Sequence, residues 1–273
     1  YYSKLLYASI FNMKNLEKIV EEEMFGVQKE LSLITDVKSD IFGELKDFLN
    51  SPTKRIRTLV SALYIRALGK NPSVNILTIG ELIHNASLLH DDVLDGSENR
   101  RGELSFWKKF SPHVSILAGD WLLSIVTEKL IKENNWDVIK IFQNCIRKMS
   151  EAEFLQYSLR GKIPQIDEYI QIAEGKTAAL FEAIIKSNAL ILGLDIHKAE
   201  EFGKNFGILF QLKNDLEKVS AETDKQNGIF TPKDILGIEK TNILIDNYLK
   251  KIQEEIRDLP VNKYSNGLKG LLG

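Results

Sequence analysis

The chain has 273 residues, a formal net charge of −2 and a single cysteine. Near-neutral charge gives no bulk attraction to nucleic acid, and one cysteine excludes an intramolecular disulfide framework. No apolar run reaches the roughly 18 residues a transmembrane helix needs. No signal-peptide pattern opens the chain, which begins Tyr1-Tyr2-Ser3. Cys145 reads as a small buried hydrophobe, and a reducing, cytoplasmic location is the expectation.

The predicted elements are helical almost throughout. The prolines Pro52, Pro72, Pro112, Pro164, Pro232 and Pro260 fall where helical patterns break. Between them, apolar residues recur at three- and four-residue spacing, as in Leu77, Ile79, Leu82, Ile83, Ala86, Leu89 and in Leu180, Ile184, Ile185, Ala189, Leu192. Segments 79–94 and 178–194 are apolar around most of their circumference, which predicts central helices. No hairpin or βαβ pattern and no fixed repeat is present. The expected architecture is all-α: one helical domain over residues 1–273, a bundle with a polar mouth and a central apolar shaft.

In chain order, the first chemical feature is Lys54-Arg55-Ile56-Arg57. Lys54 and Arg57 share a helix face near an N-terminus, where cations oppose the helix dipole unless an anion lies between. An ordinary basic surface turn would read the same. His84 follows, seven residues before Asp91 and on nearly its face; a lone histidine there is as well explained by core packing.

Next comes His90-Asp91-Asp92-Val93-Leu94-Asp95, with Arg100-Arg101-Gly102 behind it. Asp91 and Asp95 lie four apart on one face, and Asp92 borders it. Clustered carboxylates raise one another's pKa unless a cation sits between them. Oxygen ligands that leave room for water and phosphate suit Mg²⁺. The arginine pair suits phosphate oxygens. A site for a magnesium-bound diphosphate is the simplest reading, against an acidic surface run with a structural arginine.

Lys176-Thr177 opens an apolar helix and could meet an anion or simply cap it. Gln211 and Asp215 share a face at four-residue spacing and could form a second carboxylate wall; a polar helix end would look alike.

Taken together and in this order, these motifs resemble the all-trans polyprenyl diphosphate synthases, the head-to-tail isoprenyl chain elongation enzymes. The resemblance covers residues 50–232 and rests first on DDVLDGSENRRG, then on Gly119-Asp120-Trp121-Leu122-Leu123, Glu153 with Gln156, and KTAALF from Lys176. It implies that Asp91, Asp92 and Asp95 face two or three Mg²⁺ ions on the diphosphate of an allylic primer. Asp215 would hold a further ion from the opposite wall. Arg100, Lys176 and Gln211 would contact the primer, and Lys54, Arg57, His84 and Arg101 would bind the diphosphate of isopentenyl diphosphate. Thr177 and Gln211 would lie along the reacting carbons. A homodimer and transient membrane contact during product release are implied as well.

The sequence departs from the family pattern at three points. Pro52-Thr53 replaces a Gly-Gly pair, and Thr58 a proline. The second aspartate-rich motif is reduced to Asn214, Asp215, Leu216, Glu217, Lys218. Gly228-Ile229 replaces a Gly-Lys pair, with Lys225 a weak substitute, and a charged helix is expected over 243–259 without the additional helix usual there.

Product length follows from volume. Ala86 and Ser87, one turn before Asp91, are small where short-chain enzymes of the family carry an aromatic plug. At roughly 5 Å of depth per five-carbon unit, an open shaft predicts a product of about seven to nine units, of the kind used in quinone side chains. The other readings are a short-chain farnesyl or geranylgeranyl diphosphate synthase, a class I terpene cyclase and a non-catalytic partner subunit. Asn214, Lys218 and Glu222 fit the cyclase's second motif only at the outer two positions.

Overall fold

The structure, a computed structural model, describes residues 15–34, 39–100, 102–217 and 227–272. Helix α1 spans Glu21–Leu33, α2 Asp40–Asn50, α3 Ile56–Ala67 and α4 Val74–Leu94. A minimal antiparallel hairpin follows, β1 Asn99–Arg100 paired with β2 Glu103–Leu104. Then come α5 Phe106–Lys109, α6 Pro112–Glu133, α7 Trp136–Ser158 and α8 Ile166–Ala173. A π-helical turn, Glu174–Ala178, leads into α9 Ala179–Ile191, and α10 Ile196–Glu217, α11 Pro232–Leu236, α12 Ile238–Glu255 and α13 Lys263–Leu272 complete the set.

Local chemistry fixes these boundaries. Side chains of Ser39, Ser73 and Ser111 accept the N–H of Phe42, Ile76 and Val114 at the starts of α2, α4 and α6. Asn135 does the same for α7, and Pro112 and Pro232 sit at the first turns of their helices. The prolines therefore lie at helix breaks, as expected. The last charged helix starts earlier than its pattern suggested, at Ile238, because Gly237 at φ 78° ends α11 and turns directly into α12.

The two segments read as central are central. α4 buries Ile76, Leu77, Ile79, Leu82, Ile83, Ala86 and Leu89. α9 contributes to two separate apolar clusters. Leu180, Ala183 and Ile184 pack with α4, α6 and α7 through Ile79, Leu122 and Phe142. Phe181, Ile185 and Ala189 pack with α3 and α10 through Leu63, Phe202 and Leu209. Each of the leucine, isoleucine and phenylalanine side chains contributes roughly 1.5–3 kcal/mol on burial. α4 and α9 approach closely because Gly80 has no side chain: a Cβ there would sit 2.2 Å from Ile184 Cδ1. Cys145 lies buried in the first cluster, as expected, and burial pushes its thiol up to about 12. No helix among the described residues is long and apolar enough to cross a membrane.

Candidate active site

Two cavities flank the C-terminal half of α4. One, of about 260 Å³, has a polar rim of His90, Asp91, Glu153 and Lys176. Below the rim its walls are apolar, formed by Ile83, Ala86, Leu123, Ile146 and Met149, with Ser87. The small residues at 86 and 87 leave this space open. The other, of about 560 Å³, is lined by Thr53, Lys54, Arg55, Arg57, Glu81, His84, Arg100, Thr177, Gln211 and Asn214. His84 and Asp91 sit near the seam between two faces of one helix and turn to different cavities.

Burial pushes the Asp91 carboxyl up to about 6; Lys176 and Arg100 oppose the shift, and the Glu153 and Asp95 carboxylates reinforce it. That crowding fits a cation. Lys176 supplies one fixed positive charge, its ammonium bridging Glu153 and Gln156. Asp95 accepts from Arg160 Nη2 at 2.7 Å, and its own N–H closes the helix on Asp91 O at 2.8 Å. Among the described residues no three carboxylate, histidine or cysteine groups converge to enclose a metal by themselves. Asp91 and Asp95 instead offer one or two carboxylates, the protein share with which Mg²⁺ is commonly held jointly with phosphate oxygens, and Lys176 stands beside Asp91 as a cation for phosphate.

Asp92 corrects the expectation. It is fully buried and points away from that face, its Oδ1 taking both Nε (2.8 Å) and Nη2 of Arg100. At its helix position the carboxylate turns inward and must be neutralised there, so Arg100 is its partner. Arg100 itself borders the basic cavity rather than the rim around Asp91. Arg101 lies outside the described residues, as do Lys218, Glu222 and Lys225.

In the basic cavity Lys54 is exposed, while Arg57 is half-buried, its guanidinium carbon 5.3 Å from the Phe181 ring centroid. Burial lowers the Arg57 pKa, and the Glu81 carboxylate opposes that shift. Arg55, singled out by nothing in the sequence beyond its charge, caps α3 in a left-handed conformation at φ 38°. A non-glycine residue held there stores roughly 1–3 kcal/mol of strain, a feature that clusters at functional sites. Its Nη2 donates to Gln28 Oε1 at 2.6 Å and Leu49 O at 3.1 Å. Thr58, in the family's proline position, donates to Glu81 Oε1 at 2.8 Å. Glu81 is thus the counter-charge beneath the cavity, and no spacing rule pointed to it.

Thr177, Gln211 and Asp215 form a hydrogen-bonded chain. Thr177 Oγ1 donates to Gln211 Oε1 at 2.8 Å, and Gln211 Nε2 donates to Asp215 Oδ2 at 3.0 Å. The Tyr169 hydroxyl, missed in the sequence, donates to the same Asp215 oxygen at 2.6 Å. Thr177 is no helix cap: it lies within the π turn, which sends Lys176 toward α7 and Thr177 toward α10. π turns recur at functional sites because the extra residue re-aims side chains. Two glycines make close approaches here. A Cβ on Gly175 would lie 2.4 Å from Ala152 Cβ, and one on Gly119 would lie 2.2 Å from His90 Nε2. Asp120 Oδ1 stands 3.4 Å from that same nitrogen.

The polyprenyl synthetase family model matches residues 40–263. A prenyl transferase of Cyanidium caldarium is 30% identical, the match covering 78% of this chain and 68% of that protein. The octaprenyl diphosphate synthase of Escherichia coli (strain K12) is 29% identical over the same shares. Among solved structures, a decaprenyl diphosphate synthase from Rhodobacter capsulatus superposes with a TM-score of 0.87 at 22% identity, covering 95% of this chain and 97% of that one. A polyprenyl synthase from Caulobacter crescentus CB15, complexed with calcium and isoprenyl diphosphate, gives 0.86 at 24% identity, covering 95% and 96%. Fold, motif order and sequence identity agree: the chain belongs to the polyprenyl synthetase family of prenyl-transferring enzymes.

Proposed function

We propose that this protein condenses isopentenyl diphosphate head-to-tail onto an allylic diphosphate primer and releases a long all-trans polyprenyl diphosphate. The observation that carries this reading is the pair of cavities beside α4. One has a carboxylate and lysine rim above an open apolar space; the other is lined by Lys54, Arg57, His84 and Arg100.

Asp91 and Asp95 would hold Mg²⁺ for the primer diphosphate, with Lys176 beside them. At that place the ion would supply charge stabilisation for the departing diphosphate. The allylic C–O bond breaks with its electron pair leaving on the diphosphate, in a site whose fixed charges are already in place. Lys54, Arg57, His84 and Arg100 hold the second diphosphate, so that its carbon chain reaches past Thr177 and Gln211. The double bond of that chain attacks the allylic cation, and the released diphosphate takes the proton then lost. Apolar walls exclude the water that would quench the cation. Asp215 is the remaining carboxylate of the second wall, and Tyr169 fixes its orientation.

Small side chains at Ala86 and Ser87 leave the space below the rim open, and this reading takes the product to be about seven to nine units at one helical turn per unit. A homodimer is part of this reading. α6 and α7 leave Leu117, Ile131, Trp136 and Tyr157 exposed, apolar side chains that a second copy would cover. Light scattering at two concentrations tests it.

The deciding experiment is incorporation of labelled isopentenyl diphosphate with Mg²⁺ and a panel of allylic primers, with product length read by chromatography. Long products that vanish in Asp91→Ala bear the reading out. Products that stop at three or four units overturn the long-chain part, and no uptake with any primer overturns the activity.

A further inference from the structure

Each cation around the first carboxylate cluster is paired with a carboxylate of the same neighbourhood: Arg100 with Asp92, Lys176 with Glu153, and Arg160 with Asp95. The first two pairs involve residues already placed in the site. The third does not, since Arg160 belongs to the turn after α7 and to no motif of the sequence.

The turn that carries Arg160 is built rather than incidental. Gly161 N–H donates to Gly228 O at 2.9 Å, and a Cβ on Gly228 would lie 2.4 Å from Gly161 N, so the two glycines are in direct backbone contact. Asn227 Nδ2 donates to Asp95 O at 3.0 Å. The end of α4, the turn after α7 and the segment before α11 thus meet at one point. The guanidinium stacks on the Tyr157 ring, 5.0 Å from its centroid. Arg160 Nε is buried and has no hydrogen-bond partner, a donor left available on a group that already gives Nη2 to Asp95. A buried orphan donor costs free energy unless something accepts from it.

We infer that Arg160 is an additional diphosphate-binding cation of the primer site, held by Asp95 until Asp95 turns to a divalent cation and then free to donate to phosphate oxygens. This rests on the proposed reading that Asp91 and Asp95 hold Mg²⁺. Arginine offers a planar fork of donors suited to a diphosphate. The second aspartate-rich motif retains only Asp215, and a fixed cation beside Asp95 supplies positive charge where fewer carboxylates remain to hold metal.

The test measures two equilibria whose changes have opposite signs. In Arg160→Gln, the affinity for Mg²⁺ alone, read by calorimetry on the full chain, rises about fivefold as a competing charge is removed from Asp95. The affinity for inorganic diphosphate at saturating Mg²⁺ falls by about fivefold or more as a charged donor is lost. Arg160→Lys recovers most of the diphosphate affinity. A residue that only fastens the turn would weaken both equilibria in Arg160→Gln, and that result, or no change in either, overturns the inference. Asp91→Asn separates the two readings. If it leaves Mg²⁺ binding intact, the metal site itself is misplaced; if it abolishes binding while Arg160→Gln changes nothing, only the role of Arg160 falls.

Discussion

Thr58 on α3 donates its hydroxyl to Glu81 on α4 across 2.8 Å, beneath the cavity that Arg55 and Arg57 line. Both arginines are desolvated, and Glu81 is the charge that offsets this for each. Glu81→Gln keeps the shape and the acceptor for Thr58 but removes the counter-charge. The expected loss is about 2–4 kcal/mol of unfolding free energy in denaturant melts, the scale for leaving buried charge uncompensated. KM for isopentenyl diphosphate should rise in the same variant, and an unchanged melt would show that solvent already neutralises the pair.

Tyr169→Phe removes one of the two donors to Asp215 Oδ2 and leaves the Gln211 amide. A loss of about 1 kcal/mol in stability is expected from one hydrogen bond. The Mg²⁺ concentration for half-maximal activity should move, because the carboxylate is no longer held in one orientation. A shift in stability with no change in Mg²⁺ dependence would place Asp215 outside the catalytic wall.

Ser87→Phe puts a ring into the open space beneath Asp91 and Lys176. The product distribution should shorten sharply while total turnover persists. Stability should fall by no more than about 1–3 kcal/mol, the usual range for overpacking. Products of unchanged length would mean that the chain grows along another path.

Glu255 gives a pH dependence remote from the site. Burial pushes its carboxyl up to about 7 and the Glu201 carboxylate adds to this, while the Asn205 hydrogen bond and Lys251 oppose it. The folded state therefore keeps a proton that the unfolded chain has released. Stability is full below the unfolded value near 4.5, falls as pH rises toward 7, and is level above it. Glu255→Gln should equal the wild type at pH 4 and exceed it at pH 8 by about 1–2 kcal/mol, allowing for partial exposure. Equal melting curves at pH 8 would show that Glu255 ionises freely.

Helix order, the central place of α4 and α9, and the grouping of Asp91 with Lys176 were legible because they follow from local period and from motif order. Side-chain direction at a seam was not. Asp92 lies next to Asp91 in sequence yet turns into the protein, because one step around a helix crosses from cavity wall to core. Long-range partners were equally hidden. Tyr169 reaches Asp215 across 46 residues and Arg160 reaches Asp95 across 65, separations on which helical periodicity is silent. Arg55 was visible as a charge, but only the backbone shows its left-handed turn.

The π turn at Glu174–Ala178 holds one residue more than a regular helix needs. Deleting a single codon there would heal the helix and leave its length and composition nearly untouched. The helices on either side would keep their orientation, because the bulge already absorbs the extra residue, while the side chains inside the turn would be re-aimed. Lys176 and Thr177, which now serve opposite sides of the same helix, could not both keep their partners. The bulge, more than the identity of either residue, is what sends Lys176 toward α7 and Thr177 toward α10.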